Sequence, residues 1–236
     1  KGVVGLKAAM GKLSVPVSGN EQITQVATLS AHDEEMGRQI AEIIEKVGPD
    51  GVITVEESKG IGYEQEFVEG MQIDRGYLSP YLVTNHDRMA ADIENPYILI
   101  TDRKLNDFES MRPLFQLLST AGIKSLFVIC DGAEGEALAA FVSAKTGGNM
   151  NIALVRAPAL GRRRSEICED LSLATGAHFV SAALDQDWST VTLDMFGRAD
   201  AITVTATDFT IVGPQGRPDR IEARLASLRD EAQRVT

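Results

Sequence analysis

Four short apolar runs, "YILI" (97–100), "SLFVIC" (125–130), "NIALVR" (151–156) and "HFVS" (178–181), constrain this chain most, because helical patterns separate them over about 106–120, 134–146 and 163–175. Strand-length runs alternating with amphipathic segments predict an α/β domain with a largely parallel sheet covered by helices. The flanks have a different rhythm. "SAHDEEMGRQIAEIIEKVG" reads as a helix from Ser30 to Val47, with Ser30 as cap, acids in the first turn and Lys46 before Gly48. "GVITVEES" (51–58) and "EQEFVEG" (64–70) read as strands, and "DAITVTATDFTIVG" as a hairpin turning near Ala206-Thr207-Asp208. The closing segment reads as one amphipathic helix with Ile221, Leu225 and Leu228 on a face.

Charged, helical ends around an α/β middle suggest a domain of about 140 residues inserted into a smaller helical and strand segment. Gly70 on the way out, and Gly213 with Gly216 on the way back, are the candidate hinges, since glycine tolerates large backbone changes.

The 236 residues carry 34 acidic and 23 basic side chains, a net charge of -11. That field repels phosphate backbones, and no basic patch large enough to reverse it is visible, so nucleic acid is not an expected partner. No apolar run approaches the length of a membrane span and the N-terminus lacks a signal-peptide pattern, so a cytoplasmic protein without a membrane partner is expected. Cys130 and Cys168 are too few and too far apart for a metal frame or a CxxC device, and are expected as buried thiols. His32, His86 and His178 are scattered, and no metal site is expected.

Few motifs suggest chemistry. In "VICDGAEGEAL", Gly132 and Gly135 lie between a strand and a helix, where backbone amides can cradle a phosphate. Asp131, Glu134 and Glu136 crowd the same turn with negative charge, and neither GxGxxG nor GxxxxGK[ST] is present, so an ordinary tight turn is the favoured reading. Arg162, Arg163 and Arg164 are expected to make a solvated, ion-paired helix start. No serine, histidine and acid set has the local signature of a nucleophile, so no catalytic residue is assigned. The helical stretch at 106–120 carries Phe108, Met111, Phe115 and Leu118 near one stripe, widened by Leu114 and Leu117, with Pro113 expected to disturb its course. Leu138, Phe141 and Val142 stand at i, i+3 and i+4 in the next. Core burial is the simpler explanation for all of them; an exposed apolar groove between the two helices is the other.

The segments "VGPDGVITVEES", "VEGMQIDRGYLSPY", "EGEALA", "RAPALGRRR" and "LATGAHFVS", in this order, resemble the GroEL-type group I chaperonins, the bacterial sixty-kilodalton heat-shock class. The resemblance runs from "LSVPV" at 13–17 to the closing helix. It implies an equatorial-helix remnant at 1–12, a first part of an intermediate domain at 13–69, an apical substrate-binding domain at 70–215 and a second intermediate part at 216–236. The family's "GDGTTT" nucleotide motif is absent, and the chain stops before the acidic stretch in which the family carries its catalytic aspartate. The resemblance therefore implies ATP and magnesium as cofactors of full-length relatives, and neither ATP binding nor hydrolysis by this chain.

Carried over by motif, the client-binding groove falls on Tyr77, Tyr81 and Leu82 of an extended segment, Phe115 of the first helix, and Leu138 and Val142 of the second. Arg112 and Ser143 stand where the family has leucine and valine, which makes the groove more polar. Implied partners are non-native polypeptides, a GroES-type co-chaperonin and, in full-length relatives, further subunits of a homo-oligomeric ring. The expected function is a chaperone fragment that binds exposed apolar segments. The alternatives are an assembly or scaffold paralogue with a decayed groove and, less favoured, a nucleotide-binding fragment.

Overall fold

The computed structural model of the chain describes residues 19–48, 70–148, 150–184 and 187–235, and in short stretches residues 5, 9–11, 13–17, 53, 62–63, 65 and 67. Most of the strands expected at 51–58 and 64–70, and most of the 1–12 segment, lie outside the described residues. Two units are distinguished, Lys1–Phe67 and Val68–Thr236.

In the first unit the helix expected from Ser30 begins later, and another precedes it. Helices α1 (Asn20–Ala31) and α2 (Glu34–Val47) are separated by His32, which takes a left-handed conformation at φ 55°. Asp33 is the cap of α2, accepting a hydrogen bond from the Met36 amide at 2.9 Å. A carboxylate at the cap also favours the positive helix start, and that gives Asp33 the advantage over Ser30 three residues upstream. The helices meet where Gly37 and Ala41 are buried on α2, small residues that admit a close approach.

The second unit is built on one mixed sheet. Its strands are β1 (Gly70–Ile73), β2 (Ala91–Glu94), β3 (Tyr97–Thr101), β5 (Ser125–Cys130), β7 (Asn151–Arg156), β8 (Phe179–Val180), β9 (Gly197–Val204) and β10 (Phe209–Pro214). The order is β1-β10-β9-β3-β5-β7, with β2 also paired to β9 and β8 to β3. Strands β8, β3, β5 and β7 run parallel, as the alternation of runs and helices predicts. Strands β1, β10, β9 and β2 form an antiparallel wing, of which only the β9–β10 hairpin is legible in the sequence. A small parallel pair, β4 (Lys104–Leu105) with β6 (Gly132–Ala133), sits apart from this sheet.

The continuous apolar runs are explained by burial on both faces of the sheet. Leu99, Leu126, Val128, Cys130, Ile152 and Leu154 join one core cluster. Their neighbours Ile98, Ile100, Phe127, Ile129, Ala153 and Val155 join a second. Helices α3 (Phe108–Thr120) and α4 (Gly135–Thr146) cover the first face through Met111, Leu114, Leu118, Ala137 and Phe141. Helix α5 (Arg162–Thr175) covers the second through Cys168 and Leu171. Helix α6 (Pro218–Val235) is joined to α5 by Arg224 Nε and Asp170 Oδ1 at 2.6 Å. Helix α3 continues through Pro113, with Asp107 accepting from the Glu109 amide at its start.

Candidate functional site

Helices α3 and α4 follow successive parallel strands, which brings them side by side on one sheet face. The core takes a narrower share of their apolar residues than the sequence pattern suggests. On α3 the buried row is Met111, Leu114 and Leu118, so Phe115 lies on its shoulder. On α4 the buried residues are Ala137 and Phe141, so Leu138 and Val142 lie beside them, half-buried. Neither all-core burial nor a fully open groove describes the result. The outcome is a shallow apolar row in which Phe115 is held between two rings, with centroids 5.5 Å from Phe108 and 4.8 Å from Phe141.

The extended segment contributes less to this row than the family motif implies. Ser79 initiates a 3-10 turn over Pro80–Leu82, accepting a hydrogen bond from the Tyr81 amide, with proline in its favoured first-turn position. The turn contacts α4 and points its two apolar residues opposite ways. Tyr81 is 72% exposed, whereas Leu82 is 0% exposed and belongs to the core cluster under the helices. Leu82 thus supports the row from below and offers no surface to a ligand. Tyr77 is not brought to the helices: its amide donates to Thr205 O at 3.0 Å, it bridges to Val155, and it packs with the cluster on the opposite face.

Of the two polar departures, Ser143 is exposed on α4. Arg112 is exposed on α3 and engaged within its own helix, its Nη2 lying 2.5 Å from Glu109 Oε1. A residue that the sequence reading passed over joins the site instead. Lys145 of α4 donates from Nζ to the Leu82 carbonyl, fastening the 80–82 turn to the helix. Burial holds the Lys145 amine below the ordinary lysine range.

The three glycines expected as hinges all lie against other groups. A Cβ on Gly70, which opens β1 opposite Val212, would stand 2.2 Å from Ile211 O. On Gly216 it would stand 2.2 Å from Leu173 O, where the Gly216 amide donates to Ala174 O at 2.8 Å. Gly213 has φ +57°, a conformation that side chains disfavour, and the Asp200 carboxylate covers it.

The other sequence candidates have ordinary partners. At the glycine turn, the Asp131 amide donates to Arg103 O and the Glu134 amide to Leu105 O, while Gly132 and Ala133 pair in register with Lys104 and Leu105. The Asp131 and Glu134 amides are thus engaged by the neighbouring 103–105 segment. Glu134 meets Lys104 at 2.8 Å. Arg162 pairs with Glu166 and Arg164 with Asp131, at 2.8 and 2.5 Å, as a salt-bridged helix start requires. Among the described residues no group of three or more His, Cys, Asp or Glu is placed to hold a metal. A separate concavity of about 480 Å³ belongs to the first unit, walled by Val17, Ile23, Val26, Ala27, Ile40 and Ile44, a lining suited to packing and lacking charged groups.

Both cysteines are buried and free, Cys130 on one sheet face and Cys168 on the other. Burial pushes each thiol up to about 12, against an ordinary value of 9.0. The folded state therefore retains these protons where the unfolded chain loses them. The associated stability is complete below pH about 9 and declines as pH rises towards about 12. Accordingly, Cys130→Ala/Cys168→Ala should lose less stability than the parent between pH 8 and pH 10.5 in urea titrations. An equal loss in both proteins would refute this.

No protein-family model matches the chain. Among the described residues no helix is long and apolar enough to cross a membrane.

Proposed function

We propose that this chain is a polypeptide-binding module of the chaperonin kind, which takes exposed apolar segments of non-native proteins along the α3–α4 row. The observation that carries the reading is the half-buried series Phe115, Leu138 and Val142, next to a turn whose Tyr81 is 72% exposed. Each apolar side chain a client buries there contributes roughly 1.5–3 kcal/mol. Ordering a flexible segment and restricting its motion offset several kcal/mol of that sum, so single-site affinity is weak to moderate and tolerant of sequence. Presentation of several rows on one assembly strengthens binding without new contacts. A homo-oligomeric ring in the cytoplasm, with a GroES-type co-chaperonin competing for the same row, is the setting that the resemblance implies. In this reading the chain neither binds nor hydrolyses ATP and assigns no catalytic residue.

Saturable binding of a labelled amphipathic peptide is expected, with Leu138→Ser and Phe115→Ser each weakening it about tenfold or more. Phe115 also packs on Phe108 and Phe141, so Leu138, which makes no such ring contacts, gives the cleaner comparison. Unchanged affinity in both variants would sink the proposal. A scaffold role without client binding draws on the exposed polar groups Arg112 and Ser143 at the row. It requires that the chain fail to suppress aggregation of a denatured client, whereas the proposed function requires suppression.

A further inference from the structure

On α4, Lys145 follows Leu138 and Val142 at i+7 and i+3, so the three share one side of the helix. Its ammonium has three donors, of which the Leu82 carbonyl takes one. Among the described residues no carboxylate pairs with it. Two cations at these helices are already matched within the chain, Arg112 on α3 by Glu109 and Lys104 by Glu134 before α4. Lys145 is thus a half-buried cation without a counter-charge, at the junction between α4 and the turn that carries Tyr81. A partly desolvated ammonium gains from an incoming carboxylate more than an exposed one does, because part of its hydration is already lost.

We propose that the row selects acidic-apolar polypeptide segments, with apolar anchors on Leu138 and Val142 and a neighbouring carboxylate accepting hydrogen bonds from Lys145 Nζ. The inference rests on the polypeptide-binding reading above and names the class of segment that the site prefers. Selectivity of this kind is local, because the net charge of -11 repels an acidic segment at long range.

The test is a fluorescence-anisotropy titration of the 236-residue chain with two labelled peptides of identical apolar anchors, one carrying Glu beside them and the other Gln. At low salt the Glu peptide should bind about fivefold more tightly, and the ratio should approach one at about 1 M salt. Lys145→Gln should bring the ratio to about one, with the Gln peptide measuring separately whatever release of the 80–82 turn costs, and Lys145→Arg, which keeps the cation, should keep the ratio. Equal binding of both peptides to the parent overturns the charge selectivity and leaves polypeptide binding standing, whereas binding of neither overturns that underlying reading. Equal weakening of both peptides in Lys145→Gln would make the lysine a support for the turn and overturn its assigned role. Loss of the ratio in Arg112→Gln, with Lys145→Gln retaining it, would transfer the role to Arg112 and overturn the assignment as well.

Discussion

Phe141→Ala is expected to lower the unfolding free energy of the second unit by about 3–5 kcal/mol, the usual cost of emptying a fully buried aromatic position. The ring is 0% exposed in the cluster between α4 and the sheet, and Phe115 stacks against it at 4.8 Å. Its removal leaves a void directly beneath the row, into which Phe115 settles. Two readouts should therefore move together: the urea midpoint falls, and affinity for an amphipathic peptide drops under conditions where the variant remains folded. A lower midpoint with unchanged peptide affinity would separate the row from its support and contradict the arrangement.

Gly76→Ala should be nearly as damaging for a different reason. An added Cβ would lie 1.9 Å from Ala206 O and 2.2 Å from Ala206 C, both backbone atoms of the β9–β10 turn. That turn does not yield freely, because the Thr205 amide donates to Asp208 O at 2.8 Å and the Tyr77 amide donates to Thr205 O at 3.0 Å. Alanine restricts the unfolded chain and so gains about 0.4–1 kcal/mol. The enforced displacement outweighs this, and a net loss of about 3 kcal/mol is expected, at the upper end for overpacking. A thermal melt unaltered by Gly76→Ala would show that 76 and 206 do not approach as closely as described.

The parallel core was legible because β3, β5 and β7 are buried on both sides, and two-sided burial writes an uninterrupted apolar run into the sequence. The antiparallel wing writes no such signal. Strand β2, "ADIE", includes Asp92, which is accommodated through a hydrogen bond from Arg88 Nη2 close by and one from Thr203 Oγ1, 111 residues along the chain and outside any local pattern. Helix α1 was missed for a related reason: it has no buried residue, and Thr24, Val26 and Thr28 are β-branched.

The candidate site was legible in part. Phe115, Leu138 and Val142 were visible as an apolar surplus, but which residues the core would claim depends on helix rotation by a fraction of a turn. Leu82 and Tyr81 are neighbours in a three-residue turn too short for periodicity to sort inward from outward. Lys145 gave no signal at all. A lysine in a helix's last turn is expected from the helix dipole alone, and its acceptor lies 63 residues away.

The pairing of the sheet also fixes the order in which a growing chain can complete it. Strand β1 has its partner in β10, Gly70 facing Val212 and Ile73 facing Phe209. On a ribosome, which releases the N-terminal end first, the earliest strand of the unit must wait through the synthesis of α3, α4 and α5 before its neighbour exists. The parallel core can assemble during that interval from residues closer in sequence, while β1 waits as an unpaired strand, open to pairing with other chains. Closure of the second unit is thus set by the emergence of residues 209–214, among the last of the sheet to be made.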